Sequence, residues 1–250
     1  MVLNGLIKAC EKRPVSMGRL AEIVDEVEGR LAETMGLSAA SVDGLFKRLA
    51  RAAGPNNIGK MTRLFLIRHG EPEAAWGGAV DDPGLSEAGR TQAAAAAQGL
   101  SAHGPLAIVS SPMRRCRETA APYEQDRASN AIIEPRVSEV VAPAGISDRR
   151  TWLRQNFPWD LGAARKRWSE VDPALRAWRD SVVDCVLALK EDTAVFSHFI
   201  AINALASVAM RSDETIVCVP GYASITEFEV RNGALELVRL GESMVQGEVR

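Results

Sequence analysis

The chain is short of histidine, tyrosine and cysteine. Three histidines (His69, His103, His198), two tyrosines and four cysteines occur in 250 residues. Cys10, Cys116, Cys185 and Cys218 stand far apart with no C-x-x-C spacing. That excludes a zinc ribbon or a paired redox motif and reads as reduced thiols in a cytoplasmic protein. No charge of one sign dominates. The formal net charge of −2 excludes a broad footprint for nucleic acid and leaves room only for a local basic pocket. No stretch approaches the roughly 20 apolar residues of a membrane span, and the first residues carry no apolar core of a secretory leader. Neither a membrane nor export is therefore expected. No Asp/His cluster has metal-ligand spacing, and neither G-x-x-x-x-G-K-[ST] nor G-x-G-x-x-G occurs, so neither a metal nor a cofactor is expected.

What is present is ordinary for a globular protein with a real core: 46% hydrophobic and 25% charged residues. The length suits one large α/β domain, or a medium one with a small appendage. Residues 1–53 read as helices only, with Leu20, Ile23, Val24, Val27 and Leu31 at helical spacing and a second helix from about Ser41. Gly54-Pro55-Asn56-Asn57 stops that pattern, and residues 54–62 read as a linker. A second organisation begins there and runs over residues 63–245.

In that region strands alternate with helices. Arg63–Ile67 is a short buried strand, and Ser86 caps an alanine-rich helix to Leu100. Leu106–Val109 is a strand, followed by a helix over Met113–Tyr123 that Ser110 or Ser111 caps. Ile132-Ile133 is a third strand, and residues 147–190 are expected to be mostly helical. Thr193–Ser197 is a strand and Phe199–Met210 a helix. Arg231-Asn232-Gly233 joins two final strands as a hairpin. Such alternation implies a sheet with helices on both faces.

Ligands of such sheets bind beyond the carboxyl ends of the strands, and three of those ends carry reactive cargo. The first delivers Arg68-His69-Gly70-Glu71, the second Ser110-Ser111-Pro112-Met113-Arg114-Arg115, and a later one Ser197-His198. Two guanidinium forks beside two imidazoles suit a dianionic tetrahedral group, because arginine binds phosphate oxygens in pairs. Any one of these residues alone would be an ordinary polar side chain. His103 lies in a polar turn and is assigned no role.

These segments resemble the histidine phosphatase superfamily, also called phosphoglycerate mutase-like. "LFLIRHGEPE" (64–73) is similar to its opening strand and R-H-G-E motif, "GLSEAGRTQA" (84–93) to the helix that follows, "SSPMRRCRETA" (110–120) to S-S-P-L-x-R-A-x-x-T-A, and "VFSHFIAINAL" (195–205) to the segment of the second histidine. The resemblance implies a three-layer α/β/α sandwich with a mostly parallel central sheet. It implies His69 as nucleophile and a phosphate pocket of Arg68, Arg115 and His198, Arg114 being only the neighbour. Gly70, Glu71 and Ser197 would stand behind them. It also nominates Glu139, in "PRVSEV" (135–140), as general acid, with Val137 where relatives carry leucine.

Two departures stand out. "VAPAGISDRR" (141–150) replaces the glycine- and tryptophan-containing segment that often follows the glutamate, and Phe199 replaces a common glycine. An acid directly after His198 is thereby excluded, which leaves Glu71, Glu73 and Asp81 as lesser candidates. The loop "PEAAWGGAVDDPGLS" (72–86) lacks the serine and asparagine stretch of the mutases, and Asp81-Asp82 would repel a second anionic group.

The expected activity is thus a phosphomonoesterase working through a phosphohistidine on a small phosphorylated metabolite. A phosphoglycerate mutase-type phosphotransferase and a non-catalytic phosphate-binding regulator are the alternatives. A homodimer is left open. Residues 4–31 resemble part of an ATP-cone, the nucleotide-sensing module of ribonucleotide reductases and their repressors, without its strand-rich half. No nucleotide contact is assigned to any of them.

Overall fold

A computed structural model of the protein describes residues 61–74, 82–146, 148–160 and 162–244. The helical segment read over residues 1–53, most of the linker, and Trp76 and Asp81 lie outside the described residues.

Six strands form one sheet: β1 (Thr62–Arg68), β2 (Ala107–Ser110), β3 (Ile132–Ile133), β4 (Thr193–Ser197), β5 (Ile225–Arg231) and β6 (Ala234–Arg239). Their spatial order is β3-β2-β4-β1-β5-β6. The first four in that order run parallel, and β5 and β6 are antiparallel additions at one side. The helices are α1 (Glu87–Ser101), α2 (Arg114–Arg127), α3 (Arg149–Asn156), α4 (Pro173–Leu187) and α5 (Phe199–Ala209).

β1 shows why the layers form. Its side chains alternate between faces, as any strand's must. Phe65 and Ile67 join Ala96, Leu100, Cys116 and Tyr123 of α1 and α2, whereas Leu64 and Leu66 join Val182 and Val186 of α4 and Ala201 and Leu205 of α5. Both faces of the strand are buried, which is why its sequence is apolar without alternation. Each fully buried Leu, Ile or Phe contributes about 1.5–3 kcal/mol relative to exposure. The result is the expected three-layer α/β/α sandwich.

The terminal hairpin turns on Asn232 (φ 52°) and Gly233 (φ 75°), the left-handed pair a tight two-residue connection needs. Two local expectations are corrected. Neither Ser110 nor Ser111 caps α2. The amide of its first residue, Arg114, donates instead to the Asp82 carboxylate at 2.9 Å. An anion from a neighbouring loop suits the positive end of the helix. The region 147–190 is also less helical than expected. Pro158, Gly162 (φ 77°) and Pro173 divide it into α3 and α4, with a single 3-10 turn at Trp168–Glu170 between them. Trp159 and Trp168 there join a third apolar cluster with Phe157, Phe199 and Ile200.

Candidate active site

The site follows from strand register. In the parallel β1–β4 pair, Arg68 lies opposite Ser197. Each strand then emits its next residue side by side, which sets the rings of His69 and His198 edge to face at 5.3 Å. β2 pairs with β4 through Ser110 and Phe196, so Ser111 and the start of α2 join the same rim. The Ser197 hydroxyl donates to the carbonyl of Val137 at 2.7 Å. That bond anchors the 3-10 turn Pro135–Val137, from which Glu139 reaches in. The ends of β1, β2 and β4 and the turn after β3 thus converge around one cavity, whose lining includes Arg68, His69, Arg115 and Glu139.

His69 is 7% exposed. Its Nδ1 lies 2.8 Å from the carbonyl oxygen of Gly70. A carbonyl can only accept, so Nδ1 carries the proton and Nε2 keeps its lone pair. Burial first, then the neighbouring Arg115 and Arg68 cations, hold this histidine well below its ordinary value of 6.5. The ring is therefore neutral near pH 7.

Arg68 packs against rings and, among the described residues, makes no close ion pair with a carboxylate. Its guanidinium carbon stands 4.1 Å from the Tyr222 ring centroid and 5.1 Å from that of Phe199. Nη1 donates to the Pro220 carbonyl and contacts the Met244 sulfur, each at 2.8 Å. Its Nε–H is buried and has no acceptor among the described residues. A buried donor without a partner costs about 1–3 kcal/mol, and an anion in the cavity would relieve it.

Arg115, 3% exposed, donates from Nη2 to Nδ1 of His198 at 3.2 Å and has Asp82 3.8 Å from Nη1. A guanidinium cannot accept, so His198 is deprotonated at Nδ1 and its Nε2–H donates to the Ser111 hydroxyl at 2.8 Å. Burial and Arg115 likewise hold His198 well below 6.5. Both ring nitrogens are thus satisfied within the protein, and His198 stands behind the cavity lining. A direct bond from it to phosphate requires one of them to be released. The Cys116 thiol beside it is pushed up to about 12 by burial, which keeps it protonated and unreactive.

Glu139 accepts from the amides of Val140 and Ile200, each at 3.1 Å, the latter at the start of α5. Burial nevertheless raises its carboxyl above the ordinary 4.5, against the pull of those amides, Arg115 and Arg68. The competing acids point elsewhere. The Glu71 carboxylate accepts from the Ser86 hydroxyl at 3.2 Å and that of Glu73 from the Gly84 amide at 3.1 Å. Asp81 lies outside the described residues.

Two participants were not read from the sequence. Thr119 accepts from the Gly70 amide at 2.9 Å and donates to the Arg115 carbonyl at 2.6 Å, linking the loop of one site residue to the helix of another. Its place in "SSPMRRCRETA" was the available signal. Tyr222 carried none. Asp82 was read only as a charge that would repel a second anionic group, without its contacts to Arg115 and α2. Among the described residues, no group of three His, Cys, Asp or Glu could hold a metal ion.

Comparisons with known proteins fit this geometry. The model of the histidine phosphatase superfamily (branch 1) matches residues 64–243. The glucosyl-3-phosphoglycerate phosphatase of Mycobacterium tuberculosis (strain ATCC 25618 / H37Rv) is 33% identical over 111 residues, covering 43% of this chain and 48% of that protein. The transcriptional repressor NrdR of Solibacter usitatus is 48% identical over 42 residues, 17% of this chain and 28% of the repressor. This weakly echoes the ATP-cone resemblance. The chain therefore spans about half the length, or less, of these curated relatives. The structure of a mycobacterial glucosyl-3-phosphoglycerate phosphatase complexed with VO3 matches at a TM-score of 0.55 and 23% identity, over 73% of this chain and 100% of that one, a likeness of fold. With the family match running from the first strand of the sheet to beyond the last, the chain belongs to the histidine phosphatase superfamily.

Proposed function

We propose that the protein is a phosphomonoesterase that hydrolyses a small phosphorylated metabolite through a phosphohistidine on His69. The observation that carries this reading is the His69–Gly70 bond, which leaves a neutral imidazole whose Nε2 has no partner among the described residues, with two buried guanidinium groups nearby.

Arg68 and Arg115 bind the phosphoryl oxygens, and the unpaired Nε–H of Arg68 gains an acceptor. The Nε2 lone pair attacks phosphorus while the bond to the leaving oxygen breaks, and Glu139 gives that oxygen its proton. Charge grows on the equatorial oxygens in the transition state, where two fixed cations act most strongly. In the second half Glu139 takes a proton from water, the resulting hydroxide attacks phosphorus, and the N–P bond breaks. Inorganic phosphate leaves, and His69 is neutral again. His198 holds Arg115 in place from behind.

The opposite shifts of His69 and Glu139 serve one purpose. With ordinary values of 6.5 and 4.5, only roughly one molecule in a hundred would hold neutral histidine and protonated glutamate together at any pH. Lowering one and raising the other increases the share of that pair.

Hydrolysis is preferred to mutase chemistry because Asp82 sits beside Arg115, where it disfavours a second anionic group. The names of the mycobacterial relatives support a phosphorylated metabolite as substrate. Turnover of p-nitrophenyl phosphate by the purified chain, undiminished by EDTA, tests the reading. A chain that binds phosphate and turns over no ester would be the regulator instead.

A further inference from the structure

Beyond the phosphate end, the cavity changes character. Its lining there includes Leu153, Trp159, Phe199 and Ile200, together with Pro72, Pro83 and the exposed Arg150. Trp159 and Phe199 are each 8% exposed, and their rings meet edge to face at 6.1 Å. None of these four side chains carries a hydrogen-bond acceptor. The one polar side-chain atom among them, the Trp159 indole N–H, is buried and has no partner among the described residues. A polyol packed against these four side chains would bring several hydroxyl protons and find no acceptor on any of them. Each hydroxyl left unpaired away from water is penalised. An aromatic ring or branched alkyl group instead covers apolar wall already shielded from solvent.

We infer that this pocket selects phosphomonoesters with an apolar, ring-bearing or branched leaving group against those of polyols and sugars, with Trp159 as its specificity-determining wall. The inference rests on the reading of the phosphate end given above. Phe199 serves both parts of the site, because the ring that faces Trp159 also packs on Arg68.

The test compares benzyl phosphate with glycerol 3-phosphate, whose leaving alcohols are similarly basic, and their stable analogues 2-phenylethylphosphonate and 3,4-dihydroxybutylphosphonate. Full-length wild type is expected to favour the benzyl ester in kcat/KM, and the phenyl phosphonate in Kd, by at least about tenfold. Trp159→Ala, checked for folding by thermal unfolding, should lower the benzyl kcat/KM roughly tenfold and the glycerol value less than about threefold. Equal or reversed preference in the wild type overturns the inference, and that comparison does not depend on any variant folding. Equal losses on both substrates in Trp159→Ala overturn its assignment to Trp159. If no ester is turned over, including p-nitrophenyl phosphate, the hydrolytic reading fails while the phosphonate affinities still decide the leaving-group inference. Turnover without selectivity sinks the inference and leaves hydrolysis intact.

Discussion

Arg115 donates to Nδ1 of His198 at 3.2 Å, so the fold requires that imidazole to be neutral where it meets the cation. His69, between the same arginines, is under the same constraint. The unfolded chain has no such constraint and takes up both protons near pH 6.5. Below that pH it binds more protons than the native state, so stability falls as pH falls toward the lowered native values. The two histidines contribute up to about 2.7 kcal/mol per pH unit. Glu139, raised in the fold, binds its proton there first and offsets part of that slope. Urea midpoints at pH 7.5, 6.5 and 5.5 measure the net, and His198→Asn should lower the slope by up to about 1.4 kcal/mol per pH unit. A profile flat in both the wild type and Glu139→Gln would mean that both histidines protonate within the fold.

Glu139 can be tested through the leaving group. A general acid matters when the departing oxygen is a basic alkoxide and little when it is p-nitrophenolate. Glu139→Gln should lose about 10²–10⁴-fold in kcat on an alkyl phosphate and clearly less on p-nitrophenyl phosphate. Equal losses on both would assign Glu139 to positioning.

The loop after His69 presses on α1. A methyl group added at Gly89 would lie 2.1 Å from the Glu71 carbonyl oxygen, and one at Gly70 would lie 2.6 Å from the Gly89 carbonyl oxygen. Replacing a helical glycine by alanine ordinarily stabilises by roughly 0.5–1 kcal/mol. Gly89→Ala should instead destabilise by about 1–3 kcal/mol and lower kcat. Gly99→Ala, whose nearest neighbour would be 3.4 Å away, is the control. Thermal unfolding of the two variants separates the cases.

A chain beginning at Met61 contains the whole family match and every site residue named above. It should remain soluble with most of the phosphatase activity. Aggregation on truncation would place residues 1–53 in the core and move the proposed boundary.

The sheet and the reactive strand ends were readable because both are local. "LFLIRHG" and "VFSHF" each write a buried strand followed at once by its cargo, and parallel register does the rest. What escaped depended on partners distant in sequence. Ser111 looks like a helix cap until His198, 87 residues away, takes its hydroxyl. Asp82 supplies the cap from a loop whose composition gives no such sign. The tryptophan-rich stretch reads as helix by spacing alone, and its breaks at Pro158 and Gly162 serve to bring Trp159 against Phe199. Tyr222, beneath Arg68, belongs to no motif.

The central claim is a covalent phosphoryl group on His69 Nε2. Rapid acid and alkaline quenching of the wild type with a ³²P-labelled substrate measures it directly. The account expects a phosphoenzyme that survives base, decays in acid, forms as fast as turnover demands, and is absent from a folded, inactive His69→Ala variant. Full activity in His69→Ala, or turnover in the wild type with no base-stable phosphoenzyme at any quench time, would contradict it.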